Sequence, residues 1–138
     1  MQDLRLETIG PFGDCAVLRV AGEVDVYTAP ALREGLIDLL HAGARHVIVD
    51  TSEITFLDST GLGVLVGGLK RLRAHDGSLA LACGQERVTR LLDLTGLNRL
   101  FPPYPTVADA IESDPHWRAA IGELSEGAAE WCRVHELT

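Results

Sequence analysis

The sequence predicts an α/β fold, a single domain with a mostly parallel, mixed β-sheet and about four helices. Three observations support this prediction. Short apolar runs typical of strands alternate with longer stretches whose apolar residues recur at helical spacing. Strands separated by helices form right-handed βαβ units, so their sheet is expected to be parallel. The first two runs are joined by a short segment containing Gly and Pro, which favours an antiparallel hairpin.

The first half of the chain is predicted to form this hairpin, one helix and a central strand. Residues 4–9 and 15–21 alternate between apolar and polar side chains, as half-buried strands do. A helix follows, with Thr28 as its N-cap, a leucine stripe on its buried side and Gly43 at its end. Residues 45–50 form a β-branched run without alternation, which is typical of a strand covered on both faces.

The second half continues the alternation of helices and strands. Leucines and valines at helical spacing predict a helix over residues 59–74. Residues 79–83 form another inner strand, and residues 85–94 form a helix that Gly96 ends. A short edge strand is expected at residues 99–101, because two prolines follow it directly.

Two further helices are predicted near the C-terminus. Thr106 is the expected N-cap of a short helix, with Asp109 at the capping-box position. Beyond it, one amphipathic helix is expected to begin at Asp114, and its apolar stripe comprises Trp117, Ile121, Leu124, Ala128 and Trp131. Three alternatives stay open: the stripe folds back over the domain, it forms a face for a partner or for self-association as a homodimer, or the tail is frayed. We therefore divide the chain into a domain of residues 1–112 and a helical extension of residues 113–138.

Composition and charge narrow the classes of partner. The 138 residues suit one domain, and the formal net charge of −8 without a basic cluster argues against nucleic acid. The longest apolar run, residues 61–69, is too short to span a bilayer, and the first residues do not resemble a signal peptide. The three cysteines are widely spaced, which favours reduced thiols. A cytoplasmic protein that neither binds nor crosses a membrane is expected.

The segment from Asp58 to Gly61 lacks the patterns of known catalytic motifs. An aspartic-protease turn has Gly directly after its Asp-Ser or Asp-Thr pair, whereas Thr60 intervenes here. The Gly-x-Ser-x-Gly elbow of hydrolases lacks its first Gly, because Leu57 stands there. No base is evident for Ser59, and the five histidines show no ligand spacing. We therefore expect no enzyme, no metal and no cofactor.

The start of the helix over residues 59–74 is the most informative stretch. Either Asp58 or Ser59 can cap it, since both side chains carry an oxygen that accepts a first-turn N–H. If Asp58 is the cap, the Ser59 hydroxyl stays free at the positive end of the helix dipole, where a phosphate is stabilised. Gly61 and Gly63 leave room for the backbone of a partner. The pattern predicts a docking surface that is phosphorylated on serine.

Three motifs resemble the signatures of the STAS-domain anti-sigma factor antagonists, also called anti-anti-sigma factors. In chain order they are Gly22-Glu23-Val24-Asp25 followed by Thr28-Ala29-Pro30, the stretch from Phe56 to Val64, and Leu94-Thr95-Gly96-Leu97 followed by Leu100-Phe101. The resemblance runs in register from about residue 4 to residue 111, whereas residues beyond 112 have no counterpart in the minimal family domain.

The resemblance implies a phosphorylation switch. Ser59 would be the phospho-acceptor and Thr60 a minor one. The kinase would be the anti-sigma factor itself, a serine kinase that holds the ATP, and a metal-dependent serine phosphatase would reverse the modification. Asp25 would shape the docking surface, and Asp58 would fix the loop. The residues expected to contact the partner are Asp25, Asp58, Ser59, Thr60, Gly61, Leu62 and Gly63.

The expected function is partner switching. The unphosphorylated protein would bind the kinase and release a sigma factor, and phosphorylation of Ser59 would end that binding. Two alternatives remain at this point. The chain could be the STAS module of a stress-signalling scaffold or a lipid-transport complex, which docks without a kinase cycle. It could also sense a small ligand or nucleotide at the same helix end.

Overall fold

A computed structural model describes residues 3–122 and 127–137 of the chain. The strands are β1 (Arg5–Phe12), β2 (Cys15–Val24), β3 (His46–Leu57), β4 (Ser78–Ala82) and β5 (Pro103–Tyr104). The helices are α1 (Ala29–His41), α2 (Ser59–Ala74), α3 (Glu86–Thr95), α4 (Val107–Glu112), α5 (Pro115–Ile121) and α6 (Ala128–Val134). Over these residues, no helix has the length and apolar character that a membrane crossing requires.

The strands form one five-stranded sheet in the order β1-β2-β3-β4-β5. β1 and β2 pair antiparallel, whereas the pairs β2–β3, β3–β4 and β4–β5 are parallel. The predicted mixed, mostly parallel sheet with an N-terminal hairpin is therefore confirmed. β3 is the longest strand and lies at the centre, and it pairs with β2 as far as Leu57 but with β4 only as far as Asp50.

Both faces of the sheet are covered, and the alternation along β2 sorts its side chains between them. Ala16, Leu18 and Val20 belong to a core cluster that also contains the buried leucines of α1, α2 and α3. Cys15 and Val17 point the other way, into a second cluster with α4, α5 and α6. The three C-terminal helices thus supply the second layer that a mostly parallel sheet requires.

The C-terminal extension departs from its prediction. A single amphipathic helix was expected, but α5 ends at Ile121 and α6 begins at Ala128. Gly122 and Gly127 flank the break, which fits the low helix propensity of glycine. The predicted stripe residue Leu124 lies outside the described residues. The other four stripe residues are buried in the second cluster, so the extension folds back over the sheet.

The aromatic residues of the extension join it to the hairpin. The Trp131 ring meets the rings of Phe12 and Trp117 edge to face, each with centroids 5.4 Å apart. The Arg19 guanidinium on β2 donates to the backbone carbonyl of Glu136. Because Trp131 is 1 % exposed, it anchors α6 against the sheet.

The predictions of the edge strand and of the end of the central strand were also wrong. The edge strand expected at residues 99–101 is replaced by a 3-10 turn over Leu97–Arg99, and the edge strand is Pro103–Tyr104 instead. The chain turns at this point because the Phe101 side chain is fully buried in the first cluster. Strand and helix ends elsewhere lie within a few residues of their predicted positions, except that β3 continues to Leu57.

The three cysteines are free and buried, as their spacing suggested. Burial, together with the neighbouring Asp14 carboxylate, raises the pKa of the Cys15 thiol to about 12. Burial raises the pKa of Cys83 and that of Cys132 to about 11 each. The thiols are therefore protonated at neutral pH and act as small apolar side chains of the two clusters.

Removing the Trp131 side chain is expected to destabilise the folded chain strongly. Trp131→Ala should lower the free energy of unfolding by about 3–5 kcal/mol, because it leaves a cavity between α6 and the hairpin. Val134→Ala is the matched control on the same helix, since Val134 is 63 % exposed. It should change stability by less than about 0.5 kcal/mol. Urea denaturation followed by circular dichroism measures both, and equal effects would contradict the assigned role of the extension.

Candidate functional site

The carboxyl ends of β2 and β3 place two loops side by side. Val24 and Leu57, the last residues of these strands, are register partners. The backbone N–H of Asp58 then donates to the carbonyl oxygen of Val24 over 3.3 Å. The loop that begins at Asp25 and the start of α2 at Ser59 consequently lie at the same edge of the sheet.

The side chain of Asp58 is the N-cap of α2. Its Oδ1 accepts hydrogen bonds from the backbone N–H of Thr60 (2.9 Å) and of Gly61 (3.2 Å), while its own backbone is extended. Of the two N-cap residues that the sequence allowed, the helix therefore uses Asp58 and not Ser59. The Ser59 hydroxyl is exposed and hydrogen-bonds to none of the residues that the structure describes. It is accessible to a modifying enzyme and has no part in holding the helix.

The other small residues of the first turn divide into outward and inward groups. Thr60 and Gly63 are exposed, and a Cβ at Gly63 would meet nothing within 4 Å. Gly61 is buried, and a Cβ there would lie 2.5 Å from Val24 Cγ1 and 2.6 Å from Leu57 Cδ1. Leu62 is 2 % exposed and belongs to the first core cluster. Gly61 and Leu62 therefore support the loop from inside, and Gly63 provides the open approach.

Asp25 organises the neighbouring loop. Its Oδ1 accepts from the backbone N–H groups of Tyr27 (2.9 Å) and Thr28 (3.0 Å). The Thr28 hydroxyl donates to the carbonyl oxygen of Glu23 (2.7 Å) and accepts from the N–H of Asp25 (3.0 Å). Thr28 is the N-cap residue of α1, as predicted, but its side chain makes no capping hydrogen bond, because its hydroxyl bonds backward to the loop.

Three exposed apolar side chains, here called the apolar rim, lie at the same end of the sheet as the site, and they were not predicted from the sequence. Val26 and Tyr27 are 59 % and 83 % exposed on the Asp25 loop, and Phe56 is 46 % exposed near the end of β3. The sequence did contain a signal for these residues, because all three are large apolar residues outside the predicted buried stripes of the helices. Exposed aromatic side chains beside a polar centre are a common composition for a protein-binding surface.

Gln85 and Arg87 hold the projecting end of β3. β4 stops pairing at Asp50, so the later carbonyls of β3 have no strand beside them on that side. The Gln85 side-chain amide lies within hydrogen-bond distance of three of these carbonyl oxygens, at 2.6–3.0 Å: Thr51, Ser52 and Ile54. The Arg87 guanidinium donates to the carbonyl of Thr55. Both are positioning residues that no sequence motif marked.

Two carboxylates lie in the two loops of the site. Asp58 directly precedes Ser59 and Asp25 begins the neighbouring loop; both are partly buried, and neither takes part in an ion pair among the described residues. No described side chain hydrogen-bonds to the Ser59 hydroxyl, so no nucleophile–base pair is formed there. The arrangement is suited to presenting a hydroxyl to another protein.

At the opposite edge of the sheet, the fold brings together residues that the sequence did not connect. His46 begins β3, and one of its ring nitrogens lies near His116 and Asp114 at the start of α5. The spacing of the histidines along the chain gave no sign of this grouping, and the absence of a metal stays a prediction. Their separation along the chain concealed the grouping, because the fold of the extension alone brings them together.

The sequence profile of the STAS domain matches residues 7–110. The chain belongs to the STAS domain family. The match includes the hairpin, the Asp25 loop and the start of α2, so all seven proposed contact residues lie within the STAS region.

Curated relatives of the chain are named anti-sigma-B factor antagonists. The anti-sigma-B factor antagonist of Staphylococcus epidermidis is 42 % identical over 98 residues, which cover 71 % of this chain and 90 % of that protein. The anti-sigma-B factor antagonist of Bacillus subtilis is 46 % identical over 80 residues, covering 58 % of this chain and 72 % of that one.

Solved structures share the fold of the chain. An anti-sigma factor antagonist from Mycobacterium paratuberculosis superposes with a TM-score of 0.73 and 29 % identity, covering 80 % of this chain and 93 % of its own. The Bacillus cell-fate determinant SpoIIAA in its phosphorylated form gives a TM-score of 0.60 at 22 % identity, covering 80 % and 97 % of the two chains. The latter likeness concerns the fold alone.

Alanine substitution should separate the two glycines of the first turn. Gly61→Ala is expected to destabilise the chain by about 1–3 kcal/mol, because its methyl group would overlap the Val24 side chain. Gly63→Ala faces open space and should be neutral or stabilising by up to about 1 kcal/mol, since alanine favours the helix. Urea denaturation of both variants checks this, and a Gly63→Ala variant less stable than Gly61→Ala would contradict the packing described.

Proposed function

We propose that this STAS chain is an anti-sigma factor antagonist that acts by partner switching, with Ser59 as its phosphorylation site. The observation that carries the proposal is the exposed Ser59 hydroxyl, left free because Asp58 caps α2. The names of the curated relatives support the antagonist role. In this proposal the chain is not an enzyme and needs no cofactor of its own.

The docking surface in this proposal consists of the start of α2 and the apolar rim. Tyr27, Val26 and Phe56 would enter an apolar cleft of the anti-sigma factor, and Ser59, Thr60 and Gly63 would lie at the centre of the contact. Asp25 and Asp58 hold the two loops in register by bonds to backbone N–H groups. A surface already fixed in this way loses little conformational freedom on binding.

The switch follows from where the phosphate charge would lie. A phosphoserine carries about −1.5 to −2 charges at neutral pH. At the first residue of α2 the helix dipole favours that charge, so the fold would tolerate the modification. In a closed interface the same charge would be desolvated and would face Asp25 and Asp58. A difference of about 5.5 kcal/mol is enough to change 99 % bound into 1 % bound.

The partners follow from the same cycle. The anti-sigma factor would be a serine kinase that brings its own ATP, and a metal-dependent serine phosphatase would restore the free hydroxyl, all in the bacterial cytoplasm. One copy of the chain suffices for these steps. The apolar stripe of the C-terminal extension no longer argues for a homodimer, because four of its five residues are buried against the sheet.

Phosphorylation should occur on Ser59. Incubation with the cognate anti-sigma factor kinase and ATP, followed by peptide mass spectrometry, is expected to find one phosphate on Ser59 in the wild type. Thr60→Ala is the matched control and should be modified as efficiently, whereas Ser59→Ala should lose nearly all of the modification. Unmodified wild-type protein, or equal modification of Ser59→Ala, would reject the assignment of the site.

A negative charge at residue 59 should weaken kinase binding. Ser59→Asp is expected to reduce affinity at least about tenfold, which corresponds to about 1.4 kcal/mol. Ser59→Asn has nearly the same size without the charge and should change affinity by less than about threefold. Calorimetric titration of the kinase measures both variants. Equal affinities of Ser59→Asp and Ser59→Asn would rule out the electrostatic mechanism.

Affinity capture from the native host distinguishes this proposal from the other assignments within the STAS family. An ATP-binding serine kinase captured by the dephosphorylated chain, and lost after phosphorylation, supports partner switching. Capture of a transporter ATPase would instead indicate the accessory module of a lipid-transport complex.

A further inference from the structure

A compact group of metal-ligating side chains lies at the amino ends of β3 and β4. His46, Asp114 and His116 each direct one ligand atom into this group, and these atoms lie within 4.8 Å of one another. His116 Nδ1 is 3.2 Å from Asp114 Oδ1. The Asp14 carboxylate is adjacent, with its Oδ2 3.8 Å from His46 Nε2.

Ser78 orients the His46 ring. His46 and Ser78 are register partners on β3 and β4, and His46 Nδ1 lies 2.9 Å from Ser78 Oγ. When the serine oxygen accepts the Nδ1–H proton, the lone pair of Nε2 is directed into the group. The ring is 6 % exposed, so this orientation is held by packing. Hydrogen bonding of the second ring nitrogen is how proteins prepare a histidine ligand.

We propose that His46, Asp114 and His116 bind a divalent transition-metal ion of the zinc type, with Asp14 as the fourth ligand. Two imidazoles with carboxylates suit zinc, whereas magnesium and calcium select oxygen ligands alone. Zinc–nitrogen bonds of about 2.0–2.1 Å place tetrahedral ligand atoms about 3.4 Å apart. The group must therefore contract, and the exposed side chains of His116 (62 %) and Asp14 (51 %) are free to do so.

The charges of the site fit a dication. Asp14 and Asp114 bring two carboxylates to the two imidazoles, with Asp14 Oδ2 3.8 Å from His46 Nε2 and Asp114 Oδ1 3.2 Å from His116 Nδ1. The His46 and His116 rings stack, with centroids 3.9 Å apart and planes inclined by 15°, so the exposed His116 ring must turn before its lone pair and that of His46 can meet at one ion. A bound dication would balance both carboxylates and use both imidazoles in their neutral form.

The proposed ion would join the C-terminal extension to the sheet. Asp14 and His46 belong to the hairpin turn and to β3, whereas Asp114 and His116 belong to the start of α5. The ion would thus cross-link parts of the chain that are far apart in sequence, at the edge opposite Ser59. Its role would be structural, and it does not depend on the proposed partner switching.

The test uses the untagged full-length chain and zinc ions alone. Calorimetric titration should give one zinc per chain, and zinc should raise the melting temperature by mass action. Cobalt(II), used as a spectroscopic substitute, should develop the visible absorption of a tetrahedral site. His116→Ala should abolish all three signals, and because the His116 side chain is exposed, the variant should still fold. His41→Ala, which removes an exposed histidine outside the group, should change none.

Two conservative variants test the ligand arrangement. Asp114→Asn preserves the N-cap of α5, since asparagine also accepts from the N–H of His116, but it should lower zinc affinity at least about tenfold. Ser78→Ala should lower the zinc affinity by about 10- to 100-fold, because the His46 ring would lose the hydrogen bond that orients it. The proposal is overturned by the absence of saturable zinc binding, by undiminished binding in His116→Ala, or by an equal loss in His41→Ala.

Discussion

The paired hydrogen bonds of the Asp58 carboxylate determine what the first turn of α2 can do. By accepting from the N–H groups of Thr60 and Gly61, one side chain satisfies the helix end and fixes where the helix begins. Had Ser59 been the cap, a phosphate on its oxygen would have removed a structural bond. Since the neighbouring residue holds the helix, the hydroxyl can change its chemistry while the fold stays intact.

The edge that carries Ser59 is stiff because β3 is supported on both sides after β4 has ended. β2 pairs with it as far as Leu57, and the Gln85 side chain reaches the carbonyls that β4 leaves unpaired. Asp25 then ties its own loop to the same edge through backbone N–H groups. The apolar rim is consequently displayed by a frame of paired strands and hydrogen-bonded loops, although its residues lie at strand ends and in a loop.

Local patterns predicted the elements whose determinants are local. The helical spacing of leucines located α2 from Ser59 to Ala74, and Gly96 ends α3 in the left-handed conformation that glycine favours. Features that depend on distant contacts escaped. The burial of Phe101 replaced a strand by a turn, and His46 meets His116 only through the docking of the extension. The cap of α2 stayed ambiguous because both adjacent residues can accept.

The two tryptophans of the chain, Trp117 and Trp131, both lie in the layer formed by the C-terminal helices. The edge with Ser59 carries Tyr27 and Phe56 but neither indole. Intrinsic indole emission therefore reports on the seating of the extension against the hairpin and is insensitive to events at the opposite edge. The two tryptophans thus serve as an intrinsic fluorescence probe for the extension, whereas the edge with Ser59 contributes no indole emission.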